Sequence, residues 1–474
     1  MRPDFRFLSD GQRERVAGAA FDILENVGVE LTEPDAREML HGAGAQIEGQ
    51  RVRLPTHLIQ DAIDSAPSHI GIYARDGEPA FVLGGSRSYF GAHTDAPDVL
   101  DPLTGRRRPC KEADVSCHAA LIDQLPNLRF TTASGMVADR RPEIADRVSL
   151  AQCLIHSAKP VLAMPVTPEA VADCRDMAAL AVGGEAALRH RPVLIVYAEP
   201  VSPLVHPEAS VRKLLACARD EIPLVYTPYA AMGATAPLSP LGAVAQLCAE
   251  SLSGLVVHQL RRPGAPFIFG GMASVMDMRT TIFSYGAPEF QRGNTLMVEM
   301  AHYFDLPNFG TAGTSDAQTF DGQAVLEACS SCLMALLVGA NLVHDVGLMG
   351  NATVVMPAMI MATDEIIAML QHLLAENVVD SEALAIDVIE EVGPGGEFVT
   401  HAHTYGHFRE VWYPDLSFRA GAEAWAAGER DVFEERVTAR TCELMEKGDG
   451  ESVAEDVAEA IDEVVMRAEA ALPT

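Results

Sequence analysis

The sequence has few basic residues: 35 lysines and arginines stand against 66 aspartates and glutamates, which gives a formal net charge of −31. This balance argues against a nucleic-acid partner, because nucleic-acid binding favours basic stripes on a protein surface. It is compatible with a cationic ligand or with a protein partner that has a basic face. A soluble acidic surface explains the charge equally well, so charge alone does not select a function.

Long uninterrupted apolar runs are also lacking, since none reaches the length of a membrane span without a charge or a proline. The first residues, MRPDFRFLSDGQRERV, are charged and do not have the apolar core of a signal peptide. The nine cysteines are odd in number and scattered, which fits a reducing compartment better than a disulfide framework. We therefore expect a cytoplasmic protein that does not bind a membrane.

What the chain does have is apolar material for a large core, with 474 residues of which 48% are hydrophobic. Beyond residue 111, short apolar runs alternate with alanine-rich helical stretches, a pattern typical of buried parallel strands. Seven runs are LRFTTAS, PVLAMPV, PVLIVYAEP, IPLVYTPY, APFIFGGM, LPNFGTAGTS and ANLVHDVG, and ATVVMPA at 352–358 is predicted as an eighth. Eight strand–helix units predict an α/β fold of the TIM type, a (β/α)8 barrel. An open doubly wound sheet lacks support, because no glycine fingerprint follows the first strand.

The segments that flank the predicted barrel have a different character. Residues from about 9 to 66 have helical patterns, and GSRSYFGAHTDAP at 85–97 belongs to a glycine- and aspartate-rich stretch that is typical of hairpins. We divide the chain into N-terminal helices with a β-hairpin segment (1–110), the barrel (111–375) and a C-terminal helical extension (376–474). The alanine-rich helices outside the barrel need something to pack on, which predicts a homo-oligomer.

Nearly every predicted strand ends in small or polar residues, and the C-terminal strand ends carry the active site in barrels of this kind. These residues are Ser134, Thr167, Glu199, Tyr229, Gly270, Gly271, Thr314, Ser315, Asp316, His344 and Asp345. His344 and Asp345 end the predicted seventh strand, and Gly347 lets the backbone turn away. We therefore expect this pair to face a ligand in the barrel mouth.

Six motifs, taken in order along nearly the whole chain, resemble the trimethylamine methyltransferase family. They are YAEPVSPL (197–204), MGATAPLSPLGAVAQ (232–246), GGMASVMDMRTTIFSYGAPE (270–289), GTAGTSDAQTFDGQA (310–324), GANLVHDVGLM (339–349) and HAHTYGHFRE (401–410). The resemblance implies a TIM barrel that removes a methyl group from a methylated amine. It also implies transfer of that group to a corrinoid (cobalamin) carried by a separate small protein.

The resemblance also sets an expectation for position 348. Archaeal trimethylamine enzymes of the family have pyrrolysine at the matching place, where this chain has Leu348. The sequence is therefore similar to the branch without pyrrolysine, whose known members act on quaternary amines such as glycine betaine. A quaternary ammonium leaves as a neutral amine and needs no proton, so the protein is left with positioning and with a polar surface suited to a cation.

A quaternary head group favours aromatic faces and a carboxylate, and each cation–π contact contributes about 0.5–2 kcal/mol. The catalytic candidates are Asp345, His344 and Asp316. The substrate-binding candidates are Glu199, Tyr197, Tyr229, Phe283, Tyr285, Leu348 and Arg279. His93, Gly270 and Gly271 are the candidates for contact with the corrinoid. A substrate carboxylate could be held by His344, Arg279 or a backbone amide. Taken singly, each of these aromatic residues is more often part of a core.

Two further motifs are interpreted as structural. His401, His403 and His407 in HAHTYGH lack the additional ligands of a zinc site, so we expect no tightly bound metal and instead a helix capped by Thr404. The CSSC motif at 329–332 has redox spacing but falls inside a predicted helix.

Three functions remain open at this stage. The first is a methyltransferase for a small quaternary amine, with glycine betaine as the leading candidate. The second is a methyltransferase for a tertiary or another methylated amine, and the third is a non-catalytic protein that binds quaternary ammonium.

Overall fold

The computed structural model describes residues 5–427, 432–448 and 450–472. Eight parallel strands form its centre: β1 (Tyr89–Ala92), β2 (Leu128–Thr132), β3 (Val161–Ala163), β4 (Leu194–Ala198), β5 (Leu224–Tyr226), β6 (Phe267–Phe269), β7 (Phe309–Thr311) and β8 (Leu342–Val346). Each strand precedes one helix: α1 (Glu112–Gln124), α2 (Ala145–His156), α3 (Pro168–Ala181), α4 (Glu208–Asp220), α5 (Pro240–Arg261), α6 (Pro288–Tyr303), α7 (Gly322–Val338) and α8 (Pro357–Leu373). The strands pair in the order β6, β5, β4, β3, β2, β1, β8, β7, and a bridge between Phe269 and Asn308 joins the two ends. The predicted TIM barrel is confirmed.

The barrel begins earlier than the sequence predicted. The seven apolar runs from LRFTTAS to ANLVHDVG are β2 to β8, whereas β1 lies in the stretch predicted as a hairpin. The eighth strand predicted at 352–358 is wrong: only Val354–Val355 is extended, it pairs outside the barrel with Asp98–Leu100, and Pro357 begins α8. His344 and Asp345 therefore end the eighth strand and not the seventh. The proposed domain boundaries stay a prediction, with β1 on the N-terminal side of residue 111.

A hairpin closes the N-terminal end of the barrel. Its strands, Ile70–Tyr73 and Pro79–Leu83, pack against inward-facing side chains of the barrel, among them Phe130, Ile195 and Phe309. The Gly84 N–H that follows it donates to Asn341, directly before β8. With this end filled, the ligand-accessible opening of the barrel is expected at the C-terminal strand ends.

The remaining elements surround the barrel. The N-terminal helices are Asp10–Asp22, the π-helix Ile23–Val27, Pro34–Gly42 and Thr56–Ser65, and the small sheet beside them contains Val29–Leu31, Gln46–Glu48, Arg51–Arg53 and Val205–His206. Short strands extend two sides of the mouth: Tyr229–Met232, Met272–Met276 and Phe283–Ser284, and Asp98–Leu100, Arg107–Pro109, Leu348–Met349 and Val354–Val355. Further helices are Pro142–Ile144 (3-10), Glu185–His190, Ser381–Leu384, Ile386–Val392, Ala402–His407, Phe408–Glu410 (3-10), Ala422–Ala427, Phe433–Lys447 and Glu455–Ala470.

The two motifs interpreted as structural, HAHTYGH and CSSC, both lie in helical segments. His401, not Thr404, is the N-cap of Ala402–His407, and its ring accepts a hydrogen bond from the His403 N–H. The Thr404 hydroxyl instead donates to the Phe398 carbonyl. CSSC lies within α7, as predicted.

Helix α5 is the one described helix long and apolar enough to cross a membrane. Of its apolar window, 83% is buried in the protein, which is the environment of a core helix.

Candidate active site

The carboxylate of Asp345 lies at the centre of the barrel mouth. Its Oδ1 accepts a hydrogen bond from His93 Nδ1 at 2.8 Å and lies 3.0 Å from His344 Nε2. Its Oδ2 is buried and has no hydrogen-bond partner among the described residues. A buried carboxylate oxygen without a donor is costly, so this position is suited to a positively charged ligand.

A β-bulge accounts for the direction of the Asp345 side chain. β8 and β1 pair Val343 with Phe90 and Val346 with Ala92, so β8 accommodates one extra residue. Asp345 has a φ of +84°, a conformation that costs a non-glycine residue about 1–3 kcal/mol and that is concentrated at functional sites. Bulges re-aim side chains that would otherwise alternate between the two faces of a strand. The bulge thus lets adjacent residues, His344 and Asp345, contact one another at the mouth.

His344 faces the barrel interior, and its ring centroid lies 4.2 Å from that of Phe309. Burial lowers the pKa of His344, although the Asp345 charge and the Gly310 carbonyl act in the opposite direction. For Asp345, burial would raise the pKa, but His344 and His93 more than offset it and the pKa is lowered. At neutral pH the mouth therefore presents an ionised Asp345 held between His93 and His344.

Three predicted aromatic residues lie together on one side of the mouth. The Phe283 ring is edge-on to Tyr229 and to Tyr285, with a centroid distance of 5.8 Å in both cases. They are carried by the short strands that continue beyond β5 and β6. Burial, followed by the Asp345 charge, raises the pKa of Tyr285 well above its usual range. Asp345 and the neutral Tyr285 phenol therefore border the same part of the mouth.

Asp316, predicted as catalytic, holds this aromatic group in place. Its carboxylate accepts hydrogen bonds from the Tyr285 N–H at 2.9 Å, the Gly286 N–H at 3.0 Å and the Ser284 hydroxyl. Its own N–H donates to Glu327. These contacts make Asp316 a positioning residue for the segment that carries Phe283 and Tyr285, and a direct catalytic role stays a prediction.

Another side of the mouth is acidic. The Tyr197 hydroxyl donates to Glu199 Oε2 at 2.8 Å. Glu199 is exposed to solvent, yet desolvation by the surrounding protein raises its pKa, while the hydrogen bond from Tyr197 acts in the opposite direction. Asp95 belongs to the same side: burial, followed by repulsion from Asp146 and Glu199, raises its pKa to about 7. The Glu199 charge also acts on Lys213, whose Nζ donates to the Pro165 carbonyl at 3.0 Å.

Sequence reasoning missed Asp95 and Lys213. Asp95 follows β1 closely, so it would have been found had YFGA been recognised as a barrel strand. Lys213 lies within α4, where a lysine is ordinarily a surface residue, and the sequence has no signal for it.

The other predicted site residues lie apart from this cluster. Arg279 is on an exposed loop and forms an ion pair with Asp277 at 3.1 Å. Leu348 is buried, in a short strand that pairs with Val354–Val355. Gly270 and Gly271 are buried, and a side chain at either position would collide with Thr227 or Met297. Close packing thus accounts for both glycines, and their roles toward a ligand or the corrinoid stay predictions, as does that of Arg279.

Together, the fold and the mouth define a TIM-barrel protein whose strand ends combine aromatic rings with carboxylates. A family model described as trimethylamine methyltransferase matches residues 1–473, and the chain belongs to this family. It is 29% identical over 94% of its length to a glycine betaine methyltransferase of Desulfitobacterium hafniense strain Y51, of which 93% is covered. It is 27% identical over 98% of its length to the trimethylamine methyltransferase MttB of D. hafniense strain DSM 10664 / DCB-2, of which 94% is covered.

The fold is also found among solved structures. A hydroxylamine complex of MtmB is similar over 94% of this chain and 89% of that protein, with a TM-score of 0.51 and 10% identity. The Methanosarcina barkeri monomethylamine methyltransferase MtmB is similar over 95% of this chain and 90% of its own, with a TM-score of 0.50 and 10% identity. At this identity the likeness concerns the fold alone.

Proposed function

We propose that this protein removes a methyl group from a small quaternary amine and transfers it to the corrinoid of a separate protein, in the cytoplasm. The observation that carries the proposal is the buried, unpartnered Oδ2 of Asp345, which lies in a mouth lined by aromatic rings. A quaternary ammonium supplies charge without a hydrogen-bond donor, so it satisfies such an oxygen electrostatically and rests against aromatic faces. Glycine betaine is the member of this class to test first, because a relative is named for it.

The mouth residues would act by positioning. Tyr285 and Phe283 would contact the methyl groups of the cation, while Asp345, held by His93 and His344, would fix its charge. When bound, the partner's corrinoid supplies the nucleophile that takes the methyl group. The departing amine is neutral and needs no proton, so neither His344 nor His93 has to act as an acid. Catalysis by this chain is then orientation and charge placement.

The rim of the mouth is suited to a protein that brings the corrinoid. Six large apolar residues, each 51–66% exposed, lie on the loops that follow β2 to β6: Met136, Val166, Val201, Leu238, Met278 and Ile282. Exposed apolar residues grouped around a cavity are typical of interaction surfaces. We infer that this rim, defined by these six residues, contacts the corrinoid protein.

We also propose a homo-oligomer, as the sequence predicts. Between residues 376 and 427, Leu416 is the one residue that is buried. This segment exposes large apolar side chains that include Val379, Val399, Tyr405 and Tyr413. This segment contains none of the six rim residues, and a second copy of the chain would cover its surface.

The test is a methyl-transfer assay with purified protein, reduced cobalamin or the corrinoid protein, and a panel of quaternary, tertiary and secondary methylamines. Formation of methylcobalamin is followed by its absorbance. We expect transfer from a quaternary amine and little from tertiary amines. Binding without transfer from any amine would support the non-catalytic alternative, and transfer from tertiary amines alone would contradict the assigned substrate class.

A further inference from the structure

We propose, resting on the function above, that the mouth selects a quaternary amine with net positive charge and an uncharged hydrogen-bonding tail over a zwitterion that carries a carboxylate. A trimethylammonium alcohol is such a compound, whereas a betaine is the disfavoured zwitterion. The proposed preference concerns the tail of the substrate, which lies opposite the reacting methyl group. It would distinguish this chain from the relative that is named for glycine betaine.

Negatively charged groups outnumber positively charged ones in the mouth. The Tyr197 hydroxyl donates to Glu199 at 2.8 Å, and the Tyr197 ring packs on Phe309, which in turn packs on His344 beside Asp345. One chain of contacts therefore joins the two carboxylates across the barrel interior, and both act electrostatically on Tyr197 and Tyr285. Asp95 repels Glu199 and adds a third acidic group on the same side. Lys213 is the cation that these groups face. A substrate carboxylate would enter a region where acids outnumber bases, and like charges in a cavity of low dielectric repel strongly.

Three side chains that could hold a substrate carboxylate, His344, Arg279 and Lys213, are already engaged by other groups. His344 Nε2 lies 3.0 Å from Asp345, and its Nδ1 lies 3.0 Å from the Gly310 carbonyl, so both ring nitrogens face acceptors. Arg279 is 89% exposed and paired with Asp277. Lys213 donates to Pro165 and is surrounded by acidic charges, with Glu199 the strongest of them. None of the three presents an uncompensated positive charge to the cavity.

Carboxyl oxygens on the acidic side of the mouth are available to accept hydrogen bonds. The Asp95 carboxyl is half-buried and makes no hydrogen bond to another residue in the described part of the chain. Glu199 accepts from Tyr197 through one oxygen, Oε2. An alcohol or amide N–H of the substrate can donate to either group, and a site that accepts such a hydrogen bond discriminates against ligands that lack the donor.

The test uses two probes of nearly equal size that differ in tail charge: choline and glycine betaine. Their dissociation constants are measured by calorimetry on the full-length protein, without the corrinoid partner. We expect choline to bind at least about ten-fold more tightly than glycine betaine. Equal or tighter binding of glycine betaine overturns the inference while leaving the proposed function intact. Failure of both to bind and to be demethylated would overturn the proposed function with it.

Two variants identify the groups responsible. Glu199→Gln and Asp95→Asn remove charge but keep shape, and Asn tolerates the left-handed φ of +61° at position 95. Each should weaken choline, strengthen glycine betaine and so reduce the preference by roughly three- to ten-fold. Glu443→Gln, on the exposed C-terminal helix Phe433–Lys447, is the matched control and should leave the ratio unchanged. An unchanged ratio in both mouth variants also contradicts the inference.

Discussion

His93 Nδ1 lies 2.8 Å from Asp345 Oδ1, although 252 residues separate the two in the chain. The contact exists because β1 and β8, the first and last strands of the barrel, are neighbours. In the structure His93 holds the Asp345 carboxylate, and the contact with the corrinoid predicted for it from the sequence stays a prediction. His93 is therefore a positioning residue for the charge at the centre of the mouth.

Asp345→Asn should lower methyl transfer from a quaternary amine by about ten- to a thousand-fold, because it removes the charge and nearly keeps the shape. The melting temperature should change little, since asparagine tolerates the positive φ found here. Transfer kinetics and thermal melting on the same preparation check this. If activity persists while the protein melts much earlier, the residue is structural.

His93→Gln should produce a smaller loss, about three- to thirty-fold, because the carboxylate stays but one of its two histidine contacts is lost. In the double variant with Asp345→Asn, the losses should be far from additive, since the two residues act through one interaction. His41→Gln, outside the barrel, serves as the control. Additive losses in the cycle would show that His93 acts independently of Asp345.

The sequence was sufficient to predict the barrel and seven of its strands, because runs such as PVLIVYAEP are continuous, apolar and divided by long helices. β1 was missed because its residues, YFGA, lie within a glycine- and aspartate-rich stretch typical of hairpins and do not form a long apolar run. ATVVMPA was wrongly predicted as a barrel strand because its valines do form a short strand, in a sheet outside the barrel.

The sequence predicted those site residues that lie near the ends of barrel strands. Tyr229, Phe283 and Tyr285 lie together beyond the ends of β5 and β6, whereas Tyr197 lies within β4 and reaches the mouth through its hydroxyl contact with Glu199. Whether a polar side chain is engaged elsewhere depends on tertiary contacts, and this is why the pairing of Arg279 with Asp277 could not be inferred from sequence.

The rim residues offer a test of the corrinoid partner. Met278→Glu should raise the concentration of corrinoid protein needed for half-maximal transfer by about ten-fold or more, because an interface core rarely tolerates an unpaired charge. Binding of the amine should be unchanged. Leu373→Glu, which alters a comparably exposed apolar residue at the end of α8, is the control. Equal effects of the two substitutions would exclude the rim as the docking surface.

Leu348 is 1% exposed, so its contribution to packing can be separated from any contact with substrate. Leu348→Ala should lower the free energy of unfolding by about 2–5 kcal/mol, whereas Leu348→Met should cost less than about 1.5 kcal/mol. Chemical denaturation measures both. A small loss for the alanine variant together with altered substrate preference would indicate that Leu348 faces the ligand and not the core.

Affinity for a cationic quaternary amine should rise between pH 6 and pH 8, because the Asp95 pKa is raised to about 7 and deprotonation adds negative charge to the mouth. The charges that face Asp95 are Asp146, Glu199 and Lys213. The folded-state pKa lies above the ordinary value of 3.8, so ionisation of Asp95 destabilises the fold progressively from pH 3.8 to about 7. Asp95→Asn should therefore flatten the affinity profile and raise the melting temperature at pH 8 while leaving it unchanged below pH 3.8. Calorimetric titrations and thermal melts across this range check both effects, and a variant that keeps the wild-type slope of affinity would show that another group titrates.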